Sequence, residues 1–574
     1  MIFNRPPASK ALLCLLALAP LWIVGILGRG YYTPDEPRER DIAWRMSQPD
    51  ASMAVPSLAG TPFLEKPPAY YWLAALSQRV APSLPTALRI PNLLYAGLAM
   101  LATLFWARAA GARNTGWLAA LVGTSFLLSY RVAIWLATDA LLVACVAVAL
   151  LGAYRGYVAP PGRQKLAWYL LLHAAAASGF LAKSAIAWIL PALALAAIIL
   201  WERNWRELIR GELWAGLGLQ VVIVGAWVLA VAERPTGHDD LRAFFWYNLV
   251  GRFMSLPDAP VTMRYADAHQ NSPGKYLIEL PIYLLPWTAL ALAAIRRGWQ
   301  AIRNKAPTAT AWRFTAGYAV AATIVLSAAA TARDIYYAPL LPAFAVAIGL
   351  WAEDRMATPD AFDRAMLAIT RWLVAFCWLL AAAVLAVGWL ATKDVRVEAT
   401  LAALVVGAGA WYLAWRAAAD RSHSLALGSL YAAYAASVLG LAIALFPLLD
   451  RSQDLVGLAR AVVSDTAQRD LALLMPDETT RAVFDVAAAG RALPILDSAD
   501  EARARVEGDS KLAVFGLLPG PSTGPVRTWL AAHGLPVREK SSSGAAARIA
   551  TDLGLTVERV YEIPDGRRYA LWGK

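Results

Sequence analysis

The sequence predicts an all-α, polytopic membrane domain followed by a small soluble α/β domain. Hydrophobic residues make up 59% of the 574 positions, and the mean hydropathy is +0.47. A globular core of this size would not bury so much apolar surface, so a bilayer is the natural solvent for the excess. Long apolar runs recur along the chain up to residue 447, whereas charges are spread through residues 448–574. The change of composition predicts the division into two parts.

About thirteen segments are predicted transmembrane helices, because each can cross about 30 Å of hydrocarbon at 1.5 Å per residue. They lie near residues 11–29, 88–108, 115–130, 132–153, 166–183, 185–201, 215–232, 277–295, 314–332, 335–352, 366–390, 400–416 and 423–447. The first follows Arg5 and Lys10 and ends without a small-x-small cleavage site. We therefore expect an uncleaved anchor and not a signal peptide.

Positive charge falls in alternate connections between these segments. Counted from a cytoplasmic N-terminus, six even-numbered connections in succession carry Arg or Lys: Arg108 and Arg113; Arg155, Arg163 and Lys165; Arg203, Arg206 and Arg210; Arg296, Arg297, Arg303 and Lys305; Arg355 and Arg364; Arg416 and Arg421. Short cytoplasmic loops are enriched in this way in membrane proteins. The pattern predicts a multi-pass protein with a cytoplasmic N-terminus.

The same count places two long connections, residues 30–87 and 233–276, on the outer, periplasmic side. An odd number of spans also puts residues 448–574 there, as a separate domain. In this tail short apolar runs alternate with helical patterns, which is typical of a small α/β domain. The runs are Leu471–Met475 and Leu512–Gly516, and the helical patterns are 499–507 and 526–533.

Several classes of function are disfavoured by composition and by missing motifs. The net charge of +12 is concentrated in short connections, which indicates membrane topology and not nucleic-acid binding. Cys14, Cys145 and Cys377 all lie in apolar runs, so no disulfide framework or zinc spacing is available. The chain has no phosphate-binding P-loop, dinucleotide-binding glycine motif, H-E-x-x-H or G-x-S-x-G. A donor substrate should therefore be membrane-borne and met from outside.

Ionisable residues collect on the predicted outer side, and a charge near a membrane span is a functional candidate by default. The candidate acids are Asp35, Glu65 and Asp139. The candidate cations are Lys66, Lys183, Arg252 and Arg333, accompanied by the pair Tyr336-Tyr337 and by His269. Cations stabilise a phosphate leaving group, and a carboxylate removes a proton or steadies an oxocarbenium-like centre. This combination suits transfer of a sugar from a polyprenyl phosphate.

Each candidate also has a purely structural interpretation. Asp35 and Glu36 could form a solvated turn between Pro34 and Pro37, and Glu65 and Lys66 could form a neighbouring ion pair. Asp139 and Lys183 could pair with each other inside the bundle, whereas the tyrosine pairs could belong to an interfacial aromatic belt. Surface exposure could explain His269 and Arg333.

Two motifs carry a resemblance to a known family. Asp35-Glu36-Pro37-Arg38 follows the first span, and residues 60–72 read Gly-Thr-Pro-Phe-Leu-Glu-Lys-Pro-Pro-Ala-Tyr-Tyr-Trp. At these residues the chain resembles the GT-C fold glycosyltransferases that use polyprenyl-phosphate sugars, especially the branch with the lipid A aminoarabinose transferase, related to the protein O-mannosyltransferases. Weaker similarities follow at Arg89-Ile90-Pro91, Thr138-Asp139, 179–183, Asn248 with Arg252-Phe253, 285–287 and 331–339.

The resemblance implies a GT-C membrane domain in the bacterial inner membrane and an inverting single displacement. Undecaprenyl phosphate carrying 4-amino-4-deoxy-L-arabinose would be the donor, and a lipid A phosphate or another envelope glycolipid the acceptor. Three departures from the family pattern leave sugar and acceptor open: Lys183-Ser184 for Lys-Gly, Arg333 for a lysine, and Glu39-Arg40 for Tyr-Ala.

The expected roles follow from this resemblance. The donor phosphate would be bound by Lys66, Arg252 and Arg333, with Lys183, Tyr336 and Tyr337 beside them. Asp35 would be the acid nearest the anomeric carbon, acting as a base for a hydroxyl acceptor or as an orienting group for a phosphate acceptor. Glu65, with Asp139 and His269, could pair with Lys66, and Glu65 and His269 could hold a divalent metal ion, which no fixed ligand spacing demands. The outer tail would shield the cavity or help to receive the acceptor.

Two other classes remain open: a lipid or sugar transporter or flippase, and a non-catalytic assembly protein. Transporters usually place their charges near the membrane midplane within repeated halves. The candidate charges here gather at one surface, which favours an enzyme. Within the enzymes, a sibling transferase acting on O-antigen, another envelope glycan or a protein is the nearest alternative.

Overall fold

The computed structural model describes residues 7–84, 86–252, 256–258, 272, 274–329, 331–392, 396–420, 423–509, 511–521, 532–533, 541–542 and 544–574. A helical domain occupies the first part of the chain and a small α/β domain follows it. The main cluster of buried side chains draws on helices from both halves of the helical domain, and two smaller clusters lie beside it.

Long apolar helices form the body of the helical domain. They are α1 (Pro7–Leu27), α4 (Pro91–Ala110), α7 (Asp139–Val158), α8 (Arg163–Lys183), α9 (Ile186–Glu202), α10 (Gly211–Ala232), α14 (Ala309–Ala328), α15 (Leu341–Arg355), α16 (Ala361–Thr392), α17 (Val397–Ala419) and α18 (His423–Ser452). Alanine and glycine allow close packing: a Cβ on Gly179 would meet the Cβ of Ala187 at 2.7 Å. The fold is therefore mostly helical, as predicted.

Two predicted spans are bent pairs of shorter helices. Helices α5 (Gly116–Ser125) and α6 (Leu127–Ile134) meet at 68°, and α12 (Lys275–Tyr283) and α13 (Thr288–Arg303) at 113°. Eight helices of the described chain are long and apolar enough to cross a membrane, or ten if each bent pair counts as one span. Two shorter apolar helices lie at Leu16–Leu27 and Ile186–Glu202. The chain is thus a multi-pass membrane protein, and the count of thirteen spans is not confirmed by length and hydropathy.

The segments predicted as long outer loops contain regular structure. Residues 30–87 form α2 (Asp35–Met46), a short hairpin of β1 (Ser57–Leu58) and β2 (Thr61–Pro62), and α3 (Ala69–Val80). The start of the second loop forms α11 (Gly237–Arg242), followed by one π-helical and one 3₁₀ segment, Ala243–Leu249 and Val250–Arg252. Helix α2 was hidden in the sequence because it is polar, with charges at seven of its twelve positions.

The C-terminal domain is a mixed five-stranded sheet with helices. Its sheet order is β4 (Ile495–Leu496), β3 (Leu471–Leu474), β5 (Ala513–Leu517), β9 (Arg568–Gly573) and β8 (Thr556–Glu562). The pairs β3–β4 and β3–β5 are parallel, and β5–β9 and β8–β9 are antiparallel. The remaining elements are α19 (Leu455–Asp465), α20 (Glu478–Ala487), α21 (Ala499–Gly508), β6 (Gly520–Pro521), β7 (Ser541–Ser542) and α22 (Ala545–Asp552).

Both apolar runs predicted in this tail are strands, β3 and β5, and the helical pattern at 499–507 is α21. Most of the pattern at 526–533 lies outside the described residues. Helix α18 runs to Ser452, past the predicted boundary at 447, so the α/β domain follows directly from a membrane helix.

Polar side chains form two layers at opposite ends of the helical domain. Helix α7 begins at Asp139, which pairs with Lys183, and near its other end Tyr157 donates a hydrogen bond to Glu202. The helix is twenty residues long, so the layers lie about 30 Å apart at 1.5 Å per residue. The second layer also holds Lys165 paired with buried Glu207. The candidate site residues that the structure describes belong to the first layer.

Candidate active site at one end of the helical domain

Asp35 and Arg333 form the first ion pair of the candidate site. Asp35 is the first residue of α2, and Arg333 precedes the 3₁₀ segment Asp334–Leu340 that leads into α15. The Arg333 Nη2 donates to Asp35 Oδ2 at 2.5 Å across almost three hundred residues of sequence. Both side chains are partly exposed, 34% for Arg333 and 22% for Asp35. The pair is therefore accessible from outside the bundle.

The environment of Asp35 favours its carboxylate form. Burial alone would raise the pKa of Asp35, but the Arg333 guanidinium, then Lys66 and Arg38, outweigh burial and hold that pKa below its ordinary value. Asp35 is thus ionised at neutral pH while Arg333 stays in place.

Asp139 and Lys183 form a second ion pair close to the first. Asp139 begins α7 and Lys183 ends α8, so these residues meet because both helices terminate at the same level. Lys183 Nζ also lies 4.7 Å from the centre of the Tyr336 ring. The pairing proposed as a structural alternative for these two residues is confirmed. Arg333 interacts electrostatically with both Asp35 and Asp139, so the two ion pairs lie close to each other.

Lys66 pairs with Glu39 and not with its sequence neighbour Glu65, which corrects the expected Glu65–Lys66 pair. Glu39 lies one helical turn after Asp35 on α2, and its second oxygen accepts a hydrogen bond from Tyr71 at 2.6 Å. Adjacent residues in the turn before α3 point in different directions, which explains the difference. Glu65 lies near Arg38, and its backbone carbonyl accepts from Asn248 at 2.7 Å.

Tyr337 does not face the candidate site, which corrects its expected role in phosphate binding. It is 1% exposed, and its hydroxyl lies 2.8 Å from the Thr323 hydroxyl inside the bundle. Successive residues of a helical turn point in different directions, so Tyr336 faces Lys183 while its neighbour is buried.

The expected metal site is not tested by the structure. The side chain of Arg252 and the whole of His269 lie outside the described residues. Within the described part of the chain, no three His, Cys, Asp or Glu side chains come together in a way that could hold a metal ion.

Glu36 has a structural role that the sequence did not separate from that of Asp35. It is fully buried and paired with Arg29 (2.5 Å) and Arg89 (3.1 Å), both fully buried as well. It also accepts backbone hydrogen bonds from Leu136 at 2.8 Å and Tyr32 at 2.9 Å. Glu36 therefore joins α1, α2, the segment before α4 and the segment before α7. The family-like Arg89-Ile90-Pro91 element contributes to this buried network.

The C-terminal domain contacts the helix that carries Asp35 and Glu39. Arg38 pairs with Glu478 at 2.8 Å, Thr479 donates to the Pro34 carbonyl at 3.2 Å, and Arg45 pairs with Asp485. Helix α20 thus runs alongside α2 in the same direction. None of these partners was predicted, since nothing local in the sequence joins residues more than four hundred positions apart.

Together these contacts bring the described candidates into one charged cluster. Each of the described candidate cations, Lys66, Lys183 and Arg333, has a carboxylate partner. Among the candidate acids that the structure describes, only Glu65 makes no ion pair within 4.0 Å, whereas Asp35 and Asp139 are paired. A phosphate that binds any of these three described cations therefore competes with an internal carboxylate partner.

An independent comparison finds the same resemblance in the sequence. Residues 65–229 match the sequence model of the dolichyl-phosphate-mannose-protein mannosyltransferase family. The resemblance is confirmed. The matched region begins at Glu65 and includes Lys66, Asp139 and Lys183.

Curated relatives agree with that match. The chain is 30% identical over 298 residues to the undecaprenyl phosphate-alpha-4-amino-4-deoxy-L-arabinose arabinosyl transferase of Yersinia enterocolitica, covering 51% of this chain and 50% of that protein. It is 31% identical over 297 residues to the protein of the same name from Pseudomonas aeruginosa, covering 51% of each. The match therefore spans about half the length of these relatives.

Solved structures extend the similarity of fold to nearly the whole chain. The crystal structure of ArnT from Cupriavidus metallidurans bound to undecaprenyl phosphate is similar in fold, with a TM-score of 0.67 and 17% sequence identity. The match covers 99% of this chain and 98% of the ArnT chain. The Archaeoglobus fulgidus oligosaccharyltransferase matches 89% of this chain and 69% of its own, with a TM-score of 0.50 and 11% identity. At these identities the comparison establishes the fold, with membrane and C-terminal parts together.

Proposed function

We propose that this chain is an inverting glycosyltransferase that moves 4-amino-4-deoxy-L-arabinose from undecaprenyl phosphate to a lipid A phosphate. The observation that carries the proposal is the Asp35–Arg333 contact beside Lys66 and Lys183, an acid set among cations on the fold shared with ArnT. The names of the curated relatives support the choice of donor.

The proposed topology has thirteen spans and a cytoplasmic N-terminus in the bacterial inner membrane. Each bent pair then counts as one crossing, and α14 and the shorter apolar helices α1 and α9 also span the membrane. The candidate site and the C-terminal domain face the periplasm. Support comes from the arginine-rich connections at the opposite ends of the helices, such as Arg203, Arg206 and Arg210 between α9 and α10.

The donor would enter from the lipid phase. An apolar cavity within the bundle is lined by Tyr95, Ala140, Ala338 and Pro342 among others. Ala140 follows Asp139, and Ala338 lies two residues after Tyr336, so the cavity begins beside the second ion pair. A polyprenyl chain could occupy this apolar space while its phosphate meets Lys66, Lys183, Arg252 and Arg333, with Tyr336 beside them.

In the proposed reaction the bond between the anomeric carbon and the phosphate oxygen breaks as the acceptor oxygen attacks from the opposite face. The departing undecaprenyl phosphate keeps the bonding electrons, and the cations stabilise its growing negative charge. Asp35 takes the proton if the acceptor is a hydroxyl. An ionised phosphate acceptor has no proton to lose, and Asp35 then orients the acceptor. Asp139 acts by holding Lys183.

Metal use stays a separate proposal, confined to Glu65 and His269. Glu65 makes no ion pair within 4.0 Å among the described residues, so its carboxylate is available to a ligand. Addition of a chelator during transfer by the purified protein tests this proposal. A loss of activity that is reversed by adding back one divalent ion would support the proposal, and unchanged activity would rule it out.

The decisive experiment is mass spectrometry of lipid A from cells with and without the gene. We expect an added pentosamine only when the gene is present, together with higher resistance to polymyxin because the amine offsets lipid A phosphate charge. Asp35→Asn and Lys66→Ala should abolish the addition while the protein still folds, and His173→Ala should change little. Full transfer by purified Asp35→Asn would refute the role of Asp35.

The same experiment tests the nearest alternative, a sibling transferase that glycosylates O-antigen, another envelope glycan or a protein. The match to a protein mannosyltransferase family favours this second candidate specifically. Unchanged lipid A together with an altered glycan or glycoprotein would select it.

A further inference from the structure

Glu39 is a buried carboxylate of the cluster. Its side chain is only 5% exposed, and both of its oxygens are engaged, one by Lys66 and the other by the buried hydroxyl of Tyr71 at 2.6 Å. Tyr71 is fully buried on α3, so Glu39 is fixed between two elements. Lys66 is the more exposed partner of the pair, at 20%, and extends from a turn. On displacement Lys66 moves, and Glu39 stays.

Lys66 cannot turn fully to a phosphate without leaving Glu39 uncompensated. Removing one partner of a buried ion pair is strongly unfavourable, because the remaining charge has lost both water and its counter-ion. Arg38 also interacts electrostatically with Glu39, but its guanidinium is already paired with Glu478 at 2.8 Å. A phosphate that recruits Lys66 therefore requires a new cation at Glu39.

A donor that carries both a phosphate and an ammonium group would itself supply the new cation that Glu39 requires. Its phosphate would replace Glu39 as the partner of Lys66, and its ammonium would replace Lys66 as the partner of Glu39. The number of ion pairs is conserved in this exchange, and no charge is left unpaired. A donor with a neutral sugar makes only half of the exchange.

We propose that Glu39 is a donor-recognition residue that binds the ammonium group of an amino-sugar phosphate. This inference rests on the proposed function and deepens it, because it assigns the choice of an amino sugar over a neutral sugar to one side chain. Glu39 also lies one helical turn from Asp35, so a sugar bound between them would have its amine at Glu39 and its anomeric carbon near Asp35.

The test compares two donors with the purified full-length protein: undecaprenyl phosphate 4-amino-4-deoxy-L-arabinose, and the same lipid with a 4-hydroxyl in place of the amine. The wild type should prefer the amino donor in kcat/KM by about tenfold or more, the range expected for a charge-assisted hydrogen bond. Glu39→Gln should bring this ratio close to one through a loss on the amino donor. Glu39→Asp, which keeps the charge, should restore part of the ratio.

A second measurement separates recognition from a merely structural role. Binding of undecaprenyl phosphate without sugar should become tighter in Glu39→Gln, because Lys66 no longer has a competing carboxylate. Asp334→Asn is the matched control: it removes a carboxylate that pairs with Arg131 at the same end of the helical domain, without touching Lys66 or Arg38, and should leave the donor ratio unchanged. If Glu39→Gln does not fold, Tyr71→Phe, which removes only the hydrogen bond that fixes Glu39, should lower the ratio.

The outcomes separate this inference from the proposed function. Transfer of both donors with equal kcat/KM by the wild type would overturn the inference and leave the transferase intact. An equal loss on both donors in Glu39→Gln would also overturn it. If the wild type transfers neither donor, the proposed function fails, and binding of the two lipids still decides the inference: a preference for the amino lipid that Glu39→Gln abolishes would support it, and equal binding would overturn it.

Discussion

Asp35 and Glu36 are neighbours in sequence and differ completely in surroundings. Asp35 has one partner, Arg333, and remains accessible, whereas Glu36 is buried among Arg29, Arg89 and two backbone amides. A buried carboxylate with this many donors holds elements together, and an accessible one beside cations is available for chemistry.

Substitution of the two residues should therefore separate stability from activity. Glu36→Ala leaves two buried guanidinium groups without a counter-ion and should lower the free energy of unfolding by about 3–5 kcal/mol. Asp35→Asn should lower it by no more than about 1 kcal/mol, typical of a partly exposed pair. Thermal unfolding of the two variants in the same detergent measures the difference, and equal destabilisation would contradict this division.

Arg333 should set the acid limb of the pH dependence of transfer. Arg333 is the main charge that holds the pKa of Asp35 below its ordinary value. The Asp35 carboxylate and its ion pair with Arg333 are therefore fully present above the ordinary Asp pKa, and they are lost as the pH falls through the lowered pKa of Asp35. In Arg333→Gln, burial remains and the opposing charge is gone, so the pKa of Asp35 should rise. The acid limb of kcat/KM should move to higher pH and the maximum should fall.

Arg333→Lys is the matched control, because it keeps the charge and should hold the acid limb near its wild-type position. An acid limb that does not move in Arg333→Gln would show that Asp35 does not control the rate.

At this scale the sequence located the candidates better than their partners. Asp35, Lys66, Asp139, Lys183 and Arg333 were all identified from charge near membrane spans, and the structure gathers them. Their pairing was not predictable, because the direction in which the Lys66 side chain leaves its turn brings it to Glu39 and not to the adjacent Glu65. One available signal was missed: Glu39 lies four residues after Asp35, and that spacing places both on one side of a helix.

The element that organises the candidate site is α2. Its residues Arg38, Asp41 and Arg45 recur at helical spacing on the side of the C-terminal domain, and the carbonyl of Pro34, just before the helix, also contacts that domain. Asp35 and Glu39 occupy the adjacent side, toward Arg333 and Lys66. One short polar helix thus links the two domains to the site.

Docking of α20 on α2 should weaken as pH rises. The carboxyl groups of Asp41 and Asp485 face each other, and burial together with Asp485 raises the pKa of Asp41, outweighing the Ala59 amide and Arg45. A carboxyl group with a raised folded-state pKa binds its proton more tightly when folded. The stability of the junction should therefore be greatest below the ordinary Asp pKa, and fall between that value and the raised one by up to about 1.4 kcal/mol per pH unit.

Thermal unfolding between pH 5 and pH 8 measures this dependence, and Asp41→Asn should flatten it because the shared proton is no longer needed. Asp497→Asn is a control: Asp497 pairs with Arg481 on the exposed side of the same domain, away from α2. A wild-type stability that rises with pH would contradict the assignment.

Regular elements were predictable where apolar periodicity is strong and missed where it is absent. The long helices and the strands β3 and β5 follow their apolar runs. Helix α2 was not predicted because it has no apolar stripe. The breaks within the pairs α5–α6 and α12–α13 were not predicted because a hydropathy profile gives the length of an apolar segment and not its direction. Bends of 68° and 113° inside apolar segments are decided by packing.

At the scale of the whole molecule, charge is divided between two layers at opposite ends of the helices. One layer holds the candidate site, and the other holds the pairs of Glu202 and Glu207. In the proposed topology the membrane separates these layers, and only the layer with the candidate site is reached from outside.

Cysteine labelling tests this arrangement. In a variant without Cys14, Cys145 and Cys377, Lys511→Cys in the exposed surface of the C-terminal domain should react with an impermeant maleimide in intact spheroplasts. Arg163→Cys, exposed at the start of α8 at the opposite end of the bundle, should react only after permeabilisation. Labelling of both positions from outside would refute the proposed topology.

The two-part architecture was predictable because hydropathy and charge distribution are properties of whole segments. How the parts meet was not, since the contacts between α2 and α20 join positions 34–45 to 478–485 and depend on complementary shape. The fold match to a chain of 17% identity shows that the fold itself survives extensive change of sequence.

The pairing of α2 with α20 has a consequence for protein engineering. The C-terminal domain cannot be treated as an interchangeable module, because its strip of Glu478, Thr479 and Asp485 matches a complementary strip on α2. A chimera that grafts this domain from a distant relative should retain activity only when the strip is transplanted together with its counterpart on α2.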